Sequence, residues 1–292
     1  MTTSQTAQQT LYYAPYNGAY CPVYNGTQQQ LYQFTSSSSD TVGQSLSLAG
    51  SANWTTQTLY DVFYAYVGGT LFFGTGPAWT NTTTRSASLA LYNGVQTNSA
   101  SMTLRTGAAA TQTVPANQGT YLGTIYTSAA GQISFTFGGA ASGGSAGLLG
   151  VWNMYNRVNV GTTVTDSGTS YTYALATIRQ ARGSTGNQVQ FVSGLAEDSI
   201  QTGYTFAGFP AAVVVAGQTM GIGLDATSSF TSAPFLVQAP NTAQAEFSGS
   251  VFYGIAPQIG FHTVSANEKA DGTNSSNFDG TSTNQLTFSL RM

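Results

Sequence analysis

The chain has 292 residues, a formal net charge of −3 and only 6% Asp, Glu, Lys and Arg, against the roughly 25% typical of soluble globular proteins, so its exterior must be largely neutral. Seven basic residues against ten acidic ones form no basic stripe to neutralise phosphates, which excludes nucleic acid as a partner. No stretch reaches the roughly 20 apolar residues of a membrane span, and the polar start, residues 1–10, lacks the basic and apolar regions of a signal peptide, so synthesis in a cytoplasm is expected.

Helices usually expose Glu, Lys, Arg and Gln, and the scarcity of the charged three argues against helix. Thr, Tyr, Phe and Val suit a pleated, half-buried surface, and the 34 glycines supply positive-φ turn positions. The expected fold class is all-β: a β-sandwich or jelly-roll-like body over residues 41–292, preceded by an extended N-terminal arm over residues 1–40. A division of the body into two sub-modules is placed near residue 118.

In the arm, Tyr16-Asn17-Gly18 and Tyr24-Asn25-Gly26 are turn candidates, because Asn and Gly tolerate the positive φ of a type I′ turn. The serine run 36–39 follows. Residues 59–67 read as a strand, Gly68-Gly69 as a turn and 70–73 as the return. Residues 89–92 form another strand, turned by Asn93-Gly94. The clearest hairpin joins 120–126 to 132–137 through Ala129-Ala130-Gly131. The glycine-rich stretch 138–147 reads as a loop within one domain. Strands are expected at 148–158, 170–178, 188–192, 211–216, 219–224, 246–252, 258–264 and 286–291, the spacing of a sandwich or jelly roll rather than a βαβ fold. One short helical turn is placed at 195–200.

The search for chemistry assigns no catalytic, cofactor-binding or metal-ligating residue. His262, the one histidine, rules out multi-histidine metal sites, and is read as structural. Glu197 and Asp198 are adjacent, which makes them a poor glycosidase pair. The segment 271–280 has the oxygen density of a calcium loop but lacks EF-hand spacing and the terminal Glu, so it reads as a polar turn. Cys21, the only cysteine, cannot form an internal disulfide and reads as a small packed residue. Trp54, Trp79 and Trp152 could stack on sugars, yet such residues also build β-sandwich cores; Trp79 is the best of the three for exposure, with core packing preferred.

Three segments together resemble a group of bacteriophage and prophage virion surface proteins. They are Tyr13-Ala14-Pro15-Tyr16-Asn17-Gly18 with Pro22-Val23-Tyr24-Asn25-Gly26-Thr27, then Leu59-Tyr60-Asp61-Val62-Phe63 with Gly74-Thr75-Gly76-Pro77-Ala78-Trp79, and Leu149 to Val158. The resemblance implies a non-enzymatic structural protein on the virion, either a capsid decoration protein or a tail or head fibre. It carries over no site residues. A homo-oligomer is expected, with a trimer preferred by analogy, the arm contacting neighbouring subunits or other capsid or tail proteins. Two other functions remain open: a carbohydrate-binding module recognising a host surface glycan, marked by exposed coplanar aromatics, and a glycan-degrading spike, marked by two carboxylates facing across a groove.

Overall fold

The computed structural model describes residues 3–13, 20–33, 45–50, 52–210, 216–239, 246–280 and 283–292. The expected turn at 16–18, the serine run 36–39 and nearly all of the expected strand 211–216 lie outside the described residues. The fold is all-β, with two large sheets packed into a β-sandwich. The longer sheet follows the order 111–114, 102–105, 70–78, 58–67, 119–129, 132–136, 147–149, 188–193, 260–270, 216–224, 235–239. Thr58–Val67 pairs with Gly119–Ala129 from Thr58↔Thr127 to Ala65↔Gly119, with a register shift between Tyr121 and Gly123.

The second sheet is built on Asn159–Asp166, Asn284–Arg291, Ile200–Pro210 and Phe247–Ile255, hydrogen-bonded side by side in that order. Asn159–Asp166 and Asn284–Arg291 alternate buried and exposed residues, as expected of a sheet with one face on a core and one in water. Val164, Leu286, Phe288, Tyr204 and Phe206 point inward to meet Val189, Phe191, Met220, Ile222 and Val264 of the longer sheet. Phe191 and Phe288 touch across the layers at 4.9 Å between ring centroids.

Thr58–Val67 and Gly119–Ala129 are buried almost throughout, which requires a layer on each face. Leu59, Phe63 and Tyr121 enter the sandwich core. Tyr60, Val62, Tyr64, Leu122 and Ile125 form a second cluster with Cys21, Val23, Leu46, Leu48 and Trp54. The N-terminal strands supply this third layer: Gln5–Gln8 pairs with Gln132–Thr136, Thr10–Tyr12 with Ser45–Ser47, and Tyr20–Tyr24 with Gln29–Gln33. Tyr13 meets the Tyr64 ring edge-on at 5.0 Å. The described residues of the arm therefore lie against the chain's own body.

The turn chemistry sets these registers. Gly68 and Gly69 have φ of 59° and 86°, and Asn93 and Gly94 have 49° and 80°, the double positive φ of a type I′ hairpin. At Asn25 the side-chain oxygen accepts the Thr27 and Gln28 amides, with Gly26 at φ 93°.

Several expected boundaries are corrected. The strand at 148–158 divides into Gly147–Leu149 and Val151–Asn153, because the Gly150 amide turns aside to the Ser134 carbonyl. Asn153 then caps the Tyr155 and Asn156 amides, ending the second piece. The strand at 170–178 shrinks to Tyr171–Tyr173. The glycine stretch 138–147 carries a short strand, Ala140–Ala141, parallel to Asn159–Asp166. No helix forms at 195–200, and an eleven-residue strand begins at Ile200. So short a segment would leave most of its amides and carbonyls without helical partners. Here Glu197 and Asp198 instead both grip Arg157.

Candidate functional site

His262 lies on Gly260–Ala270 and is buried. Its Nδ1 is 2.7 Å from Asp225 Oδ2 and its Nε2 3.0 Å from the Ile259 carbonyl oxygen. Both partners are acceptors, so both nitrogens must carry protons to satisfy them. Burial disfavours the charge, but the Asp225 hydrogen bond and charge outweigh it and hold the imidazole above its ordinary value. While both ring nitrogens carry protons, the ring has no lone pair with which to act as a base. Asp225 also accepts the Thr263 amide at 2.8 Å, which fastens the turn after Ala216–Leu224 onto the neighbouring strand.

The other charges are fasteners as well. Arg85 Nε donates to Asp61 Oδ2 at 2.7 Å, and Arg85 also reaches the Tyr121 hydroxyl and the Gly194 carbonyl. This pins the loop 80–88 across two strands of the longer sheet. Burial raises the Asp61 carboxyl, against the pull of Arg85 and of a 2.7 Å bond from Thr124. Glu268, fully buried, accepts Arg179 Nε at 2.9 Å, the Arg182 amide at 3.1 Å and the Tyr171 hydroxyl. Burial pushes it up to about 7 despite those bonds. Arg182 continues to Asp166, which also accepts the Gly143 and Gly168 amides. Among the described residues six carboxylates are held in ion pairs. Five arginines lie over aromatic rings, with Arg85 4.4 Å from Trp79 and Arg179 3.6 Å from Tyr173.

The Glu197–Asp198 pair holds Arg157 at 2.8 and 2.5 Å, and Arg291 also approaches Asp198. In the segment 271–280 the Asp271 carboxylate accepts the Thr273, Asn274 and Gly217 amides, so its oxygens serve the turn. Trp54, Trp79 and Trp152 are all buried. The Trp54 indole N–H donates to Thr75 at 3.0 Å, and Trp152 stacks on Tyr121. Cys21 is buried, and desolvation pushes its thiol up to about 12.

What remains for recognition is the outer face of the second sheet, whose register sets side chains in a grid. The middle row runs Thr163, Thr287, Gly203, Phe252; the rows beside it run Gly161, Ser289, Gln201, Gly254 and Thr165, Gln285, Thr205, Ser250. None of the twelve is charged, and Phe252 is the one large apolar side chain, 79% exposed. Beside it the Phe252 ring leans over Gly203, where an added Cβ would lie 3.0 Å from both the ring and Thr287 Oγ1. Gln201, Thr287 and Ser289 line a shallow depression alongside. The Trp residues are thus in the core, as the sequence reading preferred, and the exposed ring on this face is one that sequence reading did not single out.

No protein-family model and no curated protein sequence matches the chain. Two solved structures are similar at low level. The insecticidal delta-endotoxin Cry8Ea1 of Bacillus thuringiensis aligns at 10% identity and TM-score 0.26, covering 99% of this chain and 53% of the toxin chain. Dimeric latent PorU of Porphyromonas gingivalis aligns at 8% identity and TM-score 0.30, covering 82% of this chain and 24% of PorU. The chain thus spans about half of the first and a quarter of the second.

Proposed function

We propose that the chain is a non-enzymatic structural protein of a bacteriophage virion, displayed on the particle surface as a capsid decoration protein or a tail or head fibre. The observation that carries this reading is how charge is used. The titratable groups that would do chemistry are tied into ion pairs fastening loops to sheets, while the three central rows of the second sheet's outer face are Thr, Ser, Gln and Gly beside Phe252. The resemblance of the 13–27, 59–79 and 149–158 segments to virion surface proteins points the same way. A homotrimer is the proposed assembly, with the surface of the N-terminal strands facing other virion proteins.

Antibody labelling of purified phage particles, viewed by electron microscopy, tests this. Label over the whole head means a decoration protein, and label confined to tail or collar means a fibre. Absence of label on particles overturns the proposal. The exposed Phe252 favours a second reading, in which the same displayed protein recognises a host surface glycan.

A further inference from the structure

We propose that the outer face of the second sheet is a binding site for a neutral saccharide, with Phe252 as its stacking platform. The site deepens the second reading above, yet it stands on the register of four strands and not on where the protein is displayed.

Three features converge on that ligand. A sugar ring has an apolar face of C–H groups, which packs on an aromatic ring, and an equatorial girdle of hydroxyls, which needs uncharged donors and acceptors. Phe252 offers the first at 79% exposure. Beside it Gln201 and Ser289, whose side chains make no hydrogen bond among the described residues, offer the second, and the Thr287 hydroxyl, bonded to the Gly203 carbonyl at 3.2 Å, keeps its acceptor capacity. The third feature is the shallow depression beside the ring, lined by Gln201, Thr287 and Ser289, where a substituent can sit. The twelve grid positions carry no charge, and the cation in the adjoining row, Arg291, already faces the Asp198 carboxylate at 3.7 Å, so the matched class is neutral rather than anionic.

The uncharged patch is small for a second copy of this chain. With strands about 4.8 Å apart and about 3.4 Å per residue, its four strands by three rows span about 400 Å² of a larger sheet face. A stable protein interface takes about 800 Å² from each partner. The face suits a short run of sugar rings, and repetition of a weak site over many displayed copies would supply the avidity.

Purified protein, wild type and Phe252→Ala, would be applied to an array of immobilised neutral oligosaccharides that includes α-1,4- and β-1,4-glucohexaose and β-1,4-mannohexaose, with oligogalacturonate as the charged comparison. Hits would be titrated by calorimetry and both proteins sized by sedimentation velocity. The wild type is expected to bind at least one neutral glycan. Phe252→Ala should weaken that binding tenfold or more, and Phe252→Trp should keep it within threefold. The proposal is overturned by absence of any neutral hit, by equal binding in Phe252→Ala, or by preference for oligogalacturonate. Self-association lost in Phe252→Ala without a glycan signal would identify a second copy as the occupant and also overturn it. Particle labelling is read separately, so failure of the glycan site leaves the virion proposal standing, and the reverse.

Discussion

Arg85 is the most economical place to test whether the buried charges act as locks. Replacing it with alanine leaves the Asp61 carboxylate, 4% exposed, with Thr124 at 2.7 Å but no cation. Removing one partner of a buried ion pair costs about 3–5 kcal/mol, because the remaining charge is uncompensated. At an unfolding entropy of about 2.1 cal/mol/K per residue, 292 residues give about 0.6 kcal/mol/K, so the melting temperature should fall by about 5–8 °C. Urea denaturation followed by tryptophan fluorescence measures this directly, with Trp79 only 4.4 Å from the Arg85 guanidinium. The loss should also depend on pH. Without Arg85 the folded-state value of Asp61 rises further above its unfolded value, so the penalty grows as pH rises and shrinks toward pH 4, where the carboxyl stays protonated. Asp61→Asn with Arg85→Met removes both charges and should recover at least half of the loss. A cost below about 1 kcal/mol for Arg85→Ala, the level of an exposed pair, would refute the reasoning, as would a double variant no more stable than the single.

Wild-type stability should fall as pH rises from about 4.5 to about 7, and His262 should extend the fall above pH 6.5. Glu268 is raised from 4.5 to about 7 by burial and His262 is raised above 6.5; both hold protons more tightly when folded, so their stabilisation is present at low pH and lost as pH rises through the folded values. For Glu268 the shift corresponds to about 3 kcal/mol, and a urea midpoint that rises over this interval would contradict it. Cys21, buried with its thiol pushed up to about 12, should resist a thiol reagent in native protein and react at once in denaturant; rapid native labelling would show that the N-terminal strands do not stay docked. Gly260→Ala should destabilise by about 2–4 kcal/mol in equilibrium unfolding, since φ is +113° and the added Cβ overlaps the Thr82 carbonyl oxygen, combining backbone strain with overpacking. A change within 0.5 kcal/mol, the range of ordinary surface substitutions, would mean that the 80–88 loop moves aside freely.

The all-β class and the glycine-turned hairpins were legible because their signals are local. Gly68-Gly69, Asn93-Gly94 and Asn25-Gly26 each specify a turn in two residues, and the flanking Thr, Tyr and Phe specify the strands. Ile200–Pro210 was missed for an equally local reason. Glu197 and Asp198 look like the start of a helix, while Gly203, Gly208 and Pro210 look like loop, and nothing nearby reveals that the strand lies between Asn284–Arg291 and Phe247–Ile255. Gly203 costs little there because Phe252 on the next strand leans across it, so a residue that weakens an isolated strand is covered by its partner.

The candidate site was hidden by distance along the chain. Asp61 and Arg85 are 24 residues apart, and Arg179 and Glu268 are 89 apart. Only the folded ladder shows that these few charges seek each other and the aromatic faces, which is what leaves the three central rows of the second sheet's outer face without charge. The same holds for the grid. Each strand displays its own period-two run, such as Gly161, Thr163, Thr165 or Gln285, Thr287, Ser289, but a one-residue slip in any pairing would turn that strand's side chains to the opposite face. Phe252 reads in isolation as one more apolar strand residue. What makes it a platform is that the inward positions beside it, Val251 and Ile255, already satisfy the core, so its exposure is imposed by register and must be offset outside the chain or not at all.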